Sequence, residues 1–225
     1  MNFRSIAIDG PSGAGKSTMA KSLARELGFL YVDTGAIYRT VGLEVFRRGI
    51  DPSDGSAVAS ILPEIEVSMA YGNDGLQHMY LGGEDVTTAI RQHEISDYAS
   101  KVSAIPAVRA FLLEMQRKLA RENHVIMDGR DIGTVVLPNA DLKIFLTADA
   151  EDRAMRRFLE LQQRGQTPAY ETILHDVIQR DKQDSEREIA PLRQAEDAVL
   201  VDTTGVDLEK SYEILRHLIL ERFGL

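Results

Sequence analysis

Cysteine is missing from all 225 residues. That excludes a disulfide framework, a thiolate metal site and a cysteine nucleophile, and it fits a reducing compartment. Long apolar runs are missing too. Nowhere do about 20 apolar residues follow one another, so no membrane-spanning helix is expected. The first apolar run, Ile6-Ala7-Ile8, is broken at once by Asp9 and does not read as a secretory leader. By elimination the expected location is cytoplasmic, with no membrane partner. Excess basic charge is also absent. The formal net charge is −9, whereas a non-specific nucleic-acid binder is normally basic, so no nucleic-acid partner is expected. No repeat at 20–50 residues and no low-complexity tract is present. His78, His93, His124, His175 and His217 share neither metal spacing nor a local triad. Lysine is scarce: 7 Lys stand against 19 Arg. The planar arginine fork suits phosphate oxygens, but compositional bias explains the count equally well, so position has to decide.

What is present reads as an ordinary globular chain, 44% hydrophobic and 27% charged. The length suits one large domain, or one core domain with an inserted piece. Strand and helix alternate. Strands are expected at Ser5–Asp9, Phe29–Asp33, His124–Asp128, Leu142–Thr147 and Val199–Asp202. Helices are expected at Ser17–Leu27, Gly35–Arg48, Pro106–Asn123, Ala150–Arg164, Tyr170–Asp184 and Leu208–Phe223. Such alternation argues for an α/β fold, a parallel sheet with helices on both faces. From Leu62 to Val86 the pattern changes. Glu64–Tyr71 and Gln77–Leu81 alternate, with turns at Asn73-Asp74-Gly75 and Gly82-Gly83. A small antiparallel insert of three strands is expected there. Residues 1–61 and 101–225 would form the core, and 62–100 the insert.

Gly10-Pro11-Ser12-Gly13-Ala14-Gly15-Lys16-Ser17 fits the phosphate-loop pattern G-x-x-x-x-G-K-[ST] in full. It follows an expected strand and opens an expected helix. Glycines let backbone N–H groups turn inward around phosphate oxygens, and the helix N-terminus adds a positive dipole end. Lys16 would reach the β- and γ-phosphates, and the Ser17 hydroxyl would face Mg²⁺. The chain is therefore expected to bind a nucleoside triphosphate. Hydrolysis, switching and transfer all remain open from this motif alone.

Three further features favour transfer, which needs a second anion site and exclusion of water. Asp33-Thr34-Gly35-Ala36-Ile37-Tyr38-Arg39 follows the second strand, and Arg39 lies one turn into the next helix, where it either meets an anion or is solvated. Asp128-Gly129-Arg130-Asp131 follows another strand. Asp128 reads as a Mg²⁺ ligand or a cap, Arg130 as a phosphate ligand, and Asp131 as an acceptor for an exocyclic amino group or a turn former. Arg153, Arg156, Arg157 and Arg164 crowd one helix, with Arg153 and Arg157 sharing a face at i, i+4. Arg180, Asp184 and Arg187 follow. These residues form either an arginine-bearing lid, at about 153–187, or an exposed helical hairpin laced by ion pairs.

The motifs together resemble the bacterial cytidylate kinases over about residues 4–223. The landmarks are IDGPSGAGKST at Ile8–Thr18, DTGAIYR at Asp33–Arg39, GEDVT at Gly83–Thr87, DGRDIGT at Asp128–Thr134, RAMRR at Arg153–Arg157 and RDKQDSERE at Arg180–Glu188. The resemblance implies a P-loop kinase fold: a five-stranded parallel sheet with helices on both faces, a small antiparallel β insert and a helical lid. It implies transfer of the ATP γ-phosphoryl to CMP or dCMP with Mg²⁺. ATP would sit on Gly10 through Thr18, with Ser17 at the metal. Lys16, Arg130, Arg153, Arg157 and Arg187 would be catalytic. Ser100, Arg109 and Asp131 would read the cytosine ring, and Thr34 would lie beside the acceptor. Arg39 and Arg130 would hold the acceptor phosphate. Arg180, Asp184 and Arg187 would address sugar and phosphates. Nothing in the sequence demands a dimer, and because small kinases of this plan are usually monomers, a monomer is expected. The rivals are a kinase for UMP, AMP or a metabolite alcohol, and a P-loop regulator or ATPase that transfers nothing.

Overall fold

The central apolar strands of the parallel sheet, Ser5–Asp9 and Val125–Gly129, are buried on both faces, as parallel strands between helix layers must be. The computed structural model describes residues 3–72, 75–163 and 165–224, the His93 side chain excepted. Arg164, the His93 side chain and the Asn73-Asp74 part of the expected turn thus fall outside the described residues. The chain runs β1 (Ser5–Asp9), α1 (Lys16–Leu27), β2 (Leu30–Asp33), α2 (Thr34–Arg47), α3 (Gly55–Ile61), β3 (Val67–Tyr71), β4 (Gln77–Leu81), β5 (Glu84–Asp85), α4 (His93–Val102) and α5 (Pro106–Glu122). It continues with β6 (Val125–Gly129), one turn of π-helix at Ile132–Val136, β7 (Leu142–Thr147), α6 (Ala150–Gln163), α7 (Tyr170–Glu186), β8 (Val199–Asp202) and α8 (Leu208–Phe223).

Five strands form a parallel sheet in the order β2-β6-β1-β7-β8. Successive residues point to opposite faces. Ile6 and Ile8 therefore join Ile126, Ile144 and Leu146 in one cluster with Met19 and Leu23 of α1 and Leu215 and Ile219 of α8. Ala7 joins Val32, Val125 and Met127 in the opposite cluster, with Ile37 and Val41 of α2 and Val108 and Leu112 of α5. The expected five-stranded sheet with helices on both faces is what forms. Chain order reverses around β1, so the crevice at the carboxyl ends of β1, β2 and β6 is where such a sheet takes its ligand.

The antiparallel sheet β3-β4-β5 is present, with Met69 opposite Met79. Its first strand begins at Val67 rather than Glu64, because Pro63 sits in a turn of 3₁₀-helix at Leu62–Glu64. Two helices went unforeseen. Asp54 starts α3 by accepting from Ser56 N (3.1 Å) and Ala57 N (3.0 Å). Ile95, Ala99 and Val102 bury one face of α4, the i, i+4, i+7 spacing of a helix. Met79, Val86, Ile90 and Ile95 belong to the same core cluster as Ala7 and Val32, so the antiparallel sheet and α4 share a core with the parallel sheet. Among the described residues no helix is long and apolar enough to cross a membrane.

Candidate active site

The phosphate loop leaves β1 at Gly10, where φ is +149°. A β-carbon here would lie 1.9 Å from the Leu146 carbonyl oxygen, so only glycine lets β1 and β7 stay paired as the chain turns. Gly15 caps α1 in the left-handed region, φ +87°. That conformation sets up the run of inward-facing amides that cradles an anion. Lys16 is buried, and its Nζ donates to the Pro11 carbonyl at 2.8 Å. Burial, reinforced by the Arg130 charge, pulls its pKa down to about 7, while Asp128, Asp9 and Asp184 resist the shift. An anionic polyphosphate in the loop would restore the full charge.

Ser17 Oγ donates to Asp128 Oδ2 (2.7 Å), and Tyr31 Oη donates to Asp128 Oδ1 (2.9 Å). Burial and the neighbouring Asp33 hold the Asp128 carboxyl above its ordinary value. Ser17 and Asp128 thus juxtapose a hydroxyl and a buried carboxylate at the mouth of the loop. Hard-oxygen donors of this kind suit Mg²⁺, which takes one or two protein ligands and fills the rest with phosphate and water. Among the described residues no cluster of three His, Asp or Glu could hold a metal unaided.

Across the crevice the chain sets arginines against aspartates. Asp33 caps α2, accepting from Ala36 N (2.8 Å), and its other oxygen holds Arg39 at 2.9 Å. Thr34 donates to the Asp128 carbonyl at 2.7 Å, tying α2 to β6. Asp131 pairs with Arg109 of α5, and Arg187 Nη2 stands 3.6 Å from its other oxygen. Burial pushes the Asp131 carboxyl up, and Arg109 and Arg187 oppose that shift. Asp184 takes Arg130 at 2.7 Å and Arg180 at 3.6 Å. Burial alone would raise Asp184, yet Arg130 and Arg180 outweigh it and its carboxyl lies below the usual range. Arg109 Nη1 also donates to the Ser103 carbonyl (3.1 Å), at the end of the helix that carries half-buried Ser100. Arg39 Nε, Arg180 Nε and an Arg187 Nη are buried without a hydrogen-bond partner, a donor surplus facing the crevice.

Several positioning groups gave no signal in the sequence. Asp9 is 5% exposed and accepts from Ile132 N (2.8 Å) and Gly133 N (2.7 Å). Arg117 of α5 donates to the carbonyls of Val135 and Val136, each at 3.0 Å. Together they grip both ends of the π-turn that follows Arg130 and Asp131. An acidic residue closing a buried strand was the available clue to Asp9. Its partners lie more than 120 positions away, beyond any local pattern.

The arginines of the helical pair part company. Arg153 and Arg157 do not present one common face to the crevice. Arg153 is buried and pairs with Asp181 of α7, with Nη1 on Oδ1 at 2.9 Å. The same guanidinium donates to the carbonyls of Ala148 (2.8 Å) and Ser12 (3.0 Å), bracing the phosphate loop from beneath. Arg157 is exposed and pairs with Glu160 at 3.0 Å. Arg156 anchors α6 to the carbonyls of Thr203 (2.8 Å) and Val206 (3.3 Å).

Comparison with known proteins accords with this layout. The family model for cytidylate kinase matches residues 6–220. A cytidylate kinase of Caldicellulosiruptor bescii is 53% identical, the match covering 97% of this chain and 94% of that protein. One from an Exiguobacterium species is 48% identical, covering 96% of each. Among solved structures, an uncharacterized protein of Eubacterium ventriosum shares the fold with a TM-score of 0.53. It is 13% identical, and the match covers 96% of this chain and 97% of that one. With the phosphate loop, the Asp33-capped start of α2 and the Asp128–Asp131 turn all meeting at one crevice, the chain belongs to the cytidylate kinase family.

Proposed function

We propose that this chain transfers the γ-phosphoryl group of ATP to the 5′-phosphate of CMP or dCMP, giving ADP and CDP or dCDP. The carrying observation is Asp131. It is a buried carboxylate held between Arg109 and Arg187, on the turn next to Lys16. Cytosine presents an N4 donor beside N3 and O2 acceptors. Asp131 accepts from N4, while Arg109 and Ser100 serve the ring acceptors. Uracil would set its O4 acceptor against the same carboxylate, which argues against UMP.

In the reaction an oxygen of the acceptor phosphate attacks the γ-phosphorus, and the bond from that phosphorus to the β,γ-bridging oxygen breaks. The nucleophile is already anionic near neutral pH, so no general base is needed. Gly10 through Thr18 bind the ATP phosphates. Lys16 exchanges the Pro11 carbonyl for phosphate oxygens. Arg39 and Arg130 hold the acceptor phosphate, and Arg180 and Asp184 face the sugar. Arg187 serves phosphate and Asp131 together. Catalysis is in-line positioning with charge neutralisation. Mg²⁺, bound with Ser17 and Asp128, would supply further charge neutralisation on the phosphates. Residues 62–100 are taken as the monophosphate-binding insert, and about 153–187 as the lid. Arg153 serves that lid from its root, and Arg157 does so from its outer face. The enzyme is taken to work as a monomer.

The test is ATP consumption with Mg²⁺ against CMP, dCMP, UMP, AMP, GMP and no acceptor. Turnover is expected with CMP and dCMP. Faster turnover with UMP or AMP would discard the cytosine-reading roles. Acceptor-independent hydrolysis would return the chain to the ATPase class.

A further inference from the structure

Strand β2 is an edge of the parallel sheet. Leu30 N donates inward to the His124 carbonyl beside β6 (2.8 Å). Alternation then turns the backbone groups of Tyr31 and Asp33 outward, where no strand covers them. The antiparallel sheet covers them with side chains instead. Tyr71 Oη donates to the Tyr31 carbonyl (2.8 Å). Gln77, the first residue of β4, grips Asp33 at both backbone groups. Its Oε1 accepts from Asp33 N (2.8 Å), and its Nε2 donates to the Asp33 carbonyl (3.3 Å) and approaches Met79 Sδ (3.0 Å). The primary amide thus imitates one rung of a β-ladder. Asp33 is the hinge point between strand and site, because its carboxylate both caps α2 and holds Arg39.

We propose that Gln77 is a positioning residue for the acceptor phosphate, fixing Asp33 so that Arg39 is aimed into the crevice. The inference rests on the acceptor-phosphate role of Arg39 given above. It adds a route by which the antiparallel sheet reports its position to that arginine. Asp33 spans both ends of the route, so its backbone and its carboxylate move together. The hydrogen bonds of Gln77 go to Asp33 and Met79 and not to the phosphate loop, so the ATP side is left alone.

The experiment compares Gln77→Met, Gln77→Ala, Tyr71→Phe and Arg39→Ala with the parent enzyme, and adds the Gln77→Met/Arg39→Ala double variant. Loss of two neutral hydrogen bonds is expected to raise the KM for CMP by about fivefold or more in both Gln77 variants. The KM for ATP should stay within about twofold. Tyr71→Phe removes a neighbouring anchor that does not reach Asp33, and should leave the KM for CMP within about twofold. In the double variant the Gln77 change should add little to the Arg39 change, as for residues on one path. The proposal is overturned by a rise in both KM values together, by a fall in kcat alone, by an equal effect of Tyr71→Phe, or by additivity with Arg39→Ala. An Arg39→Ala enzyme with an unchanged KM for CMP would refute the acceptor role of Arg39 and the inference with it. An altered Arg39→Ala beside unaltered Gln77 variants would refute the inference alone.

Discussion

The two sides of the crevice are built on different plans. The proposed donor side is one contiguous loop, Gly10 to Ser17, that offers backbone amides and one buried lysine. The proposed acceptor side is assembled from side chains on α2, α5, the turn after β6, α7 and the segment after it, where Arg39, Arg109, Arg130, Arg180 and Arg187 each face a carboxylate. A backbone cradle recognises phosphate wherever it occurs. A lattice of paired side chains can carry a base-specific pattern, because each pair has a fixed place and a fixed polarity.

That contrast breaks most sharply at Lys16. Replacing it with alanine removes the one side-chain cation of the donor loop, and kcat should fall by about 10²–10³-fold, the scale of a lost oxyanion donor. A near-normal rate would overturn the donor assignment. On the acceptor side Asp131→Asn should raise the KM for CMP by about 10–100-fold, the worth of a charge-assisted hydrogen bond, and leave the KM for ATP within about twofold. Equal damage to both nucleotides would show that the two sides are not separable.

The smallest effect belongs to Asp9, which joins the two sides. Burial raises its pKa from 3.8 to about 6, against the pull of the Gly133 and Ile132 amides. The folded state therefore binds this proton more tightly than the unfolded chain, and the associated stability is lost as pH rises through about 6. Relative to Asp9→Asn, the parent should lose about 1 kcal/mol of unfolding free energy between pH 5 and pH 7. Denaturant titrations at both pH values would measure it. A pH-independent difference would mean that Asp9 does not titrate in this window.

The same division explains how much could be read from sequence. All five parallel strands, the phosphate loop and the antiparallel insert were legible because each is a local pattern: a short apolar run, a glycine spacing, an alternation. Helix α4 was passed over although Ile95, Ala99 and Val102 carry its period, because the surrounding β signals drew the reading. Family resemblance put Arg109 and Asp131 at one base-reading site but not in a pair with each other, since 22 residues separate them and no local pattern joins them. For Arg153 the i, i+4 rule placed it beside Arg157, but burial against Asp181 and the Ser12 carbonyl decided its direction. Gln77 looked like any polar residue in an alternating strand. Its partner is a backbone, which leaves no mark in composition.

The paired arrangement also fixes an electrostatic sum. Around the acceptor, the guanidiniums of Arg39, Arg109, Arg130, Arg180 and Arg187 face the carboxylates of Asp33, Asp131 and Asp184, five against three. The excess is two positive charges, and a fully ionised phosphate monoester carries about two negative ones. With the acceptor seated there as proposed, a dianion would offset that excess. Once the ester takes up its second proton, near pH 6, one positive charge is left uncompensated in a buried place, so acidity should weaken the grip on the acceptor phosphate through the ligand's own titration.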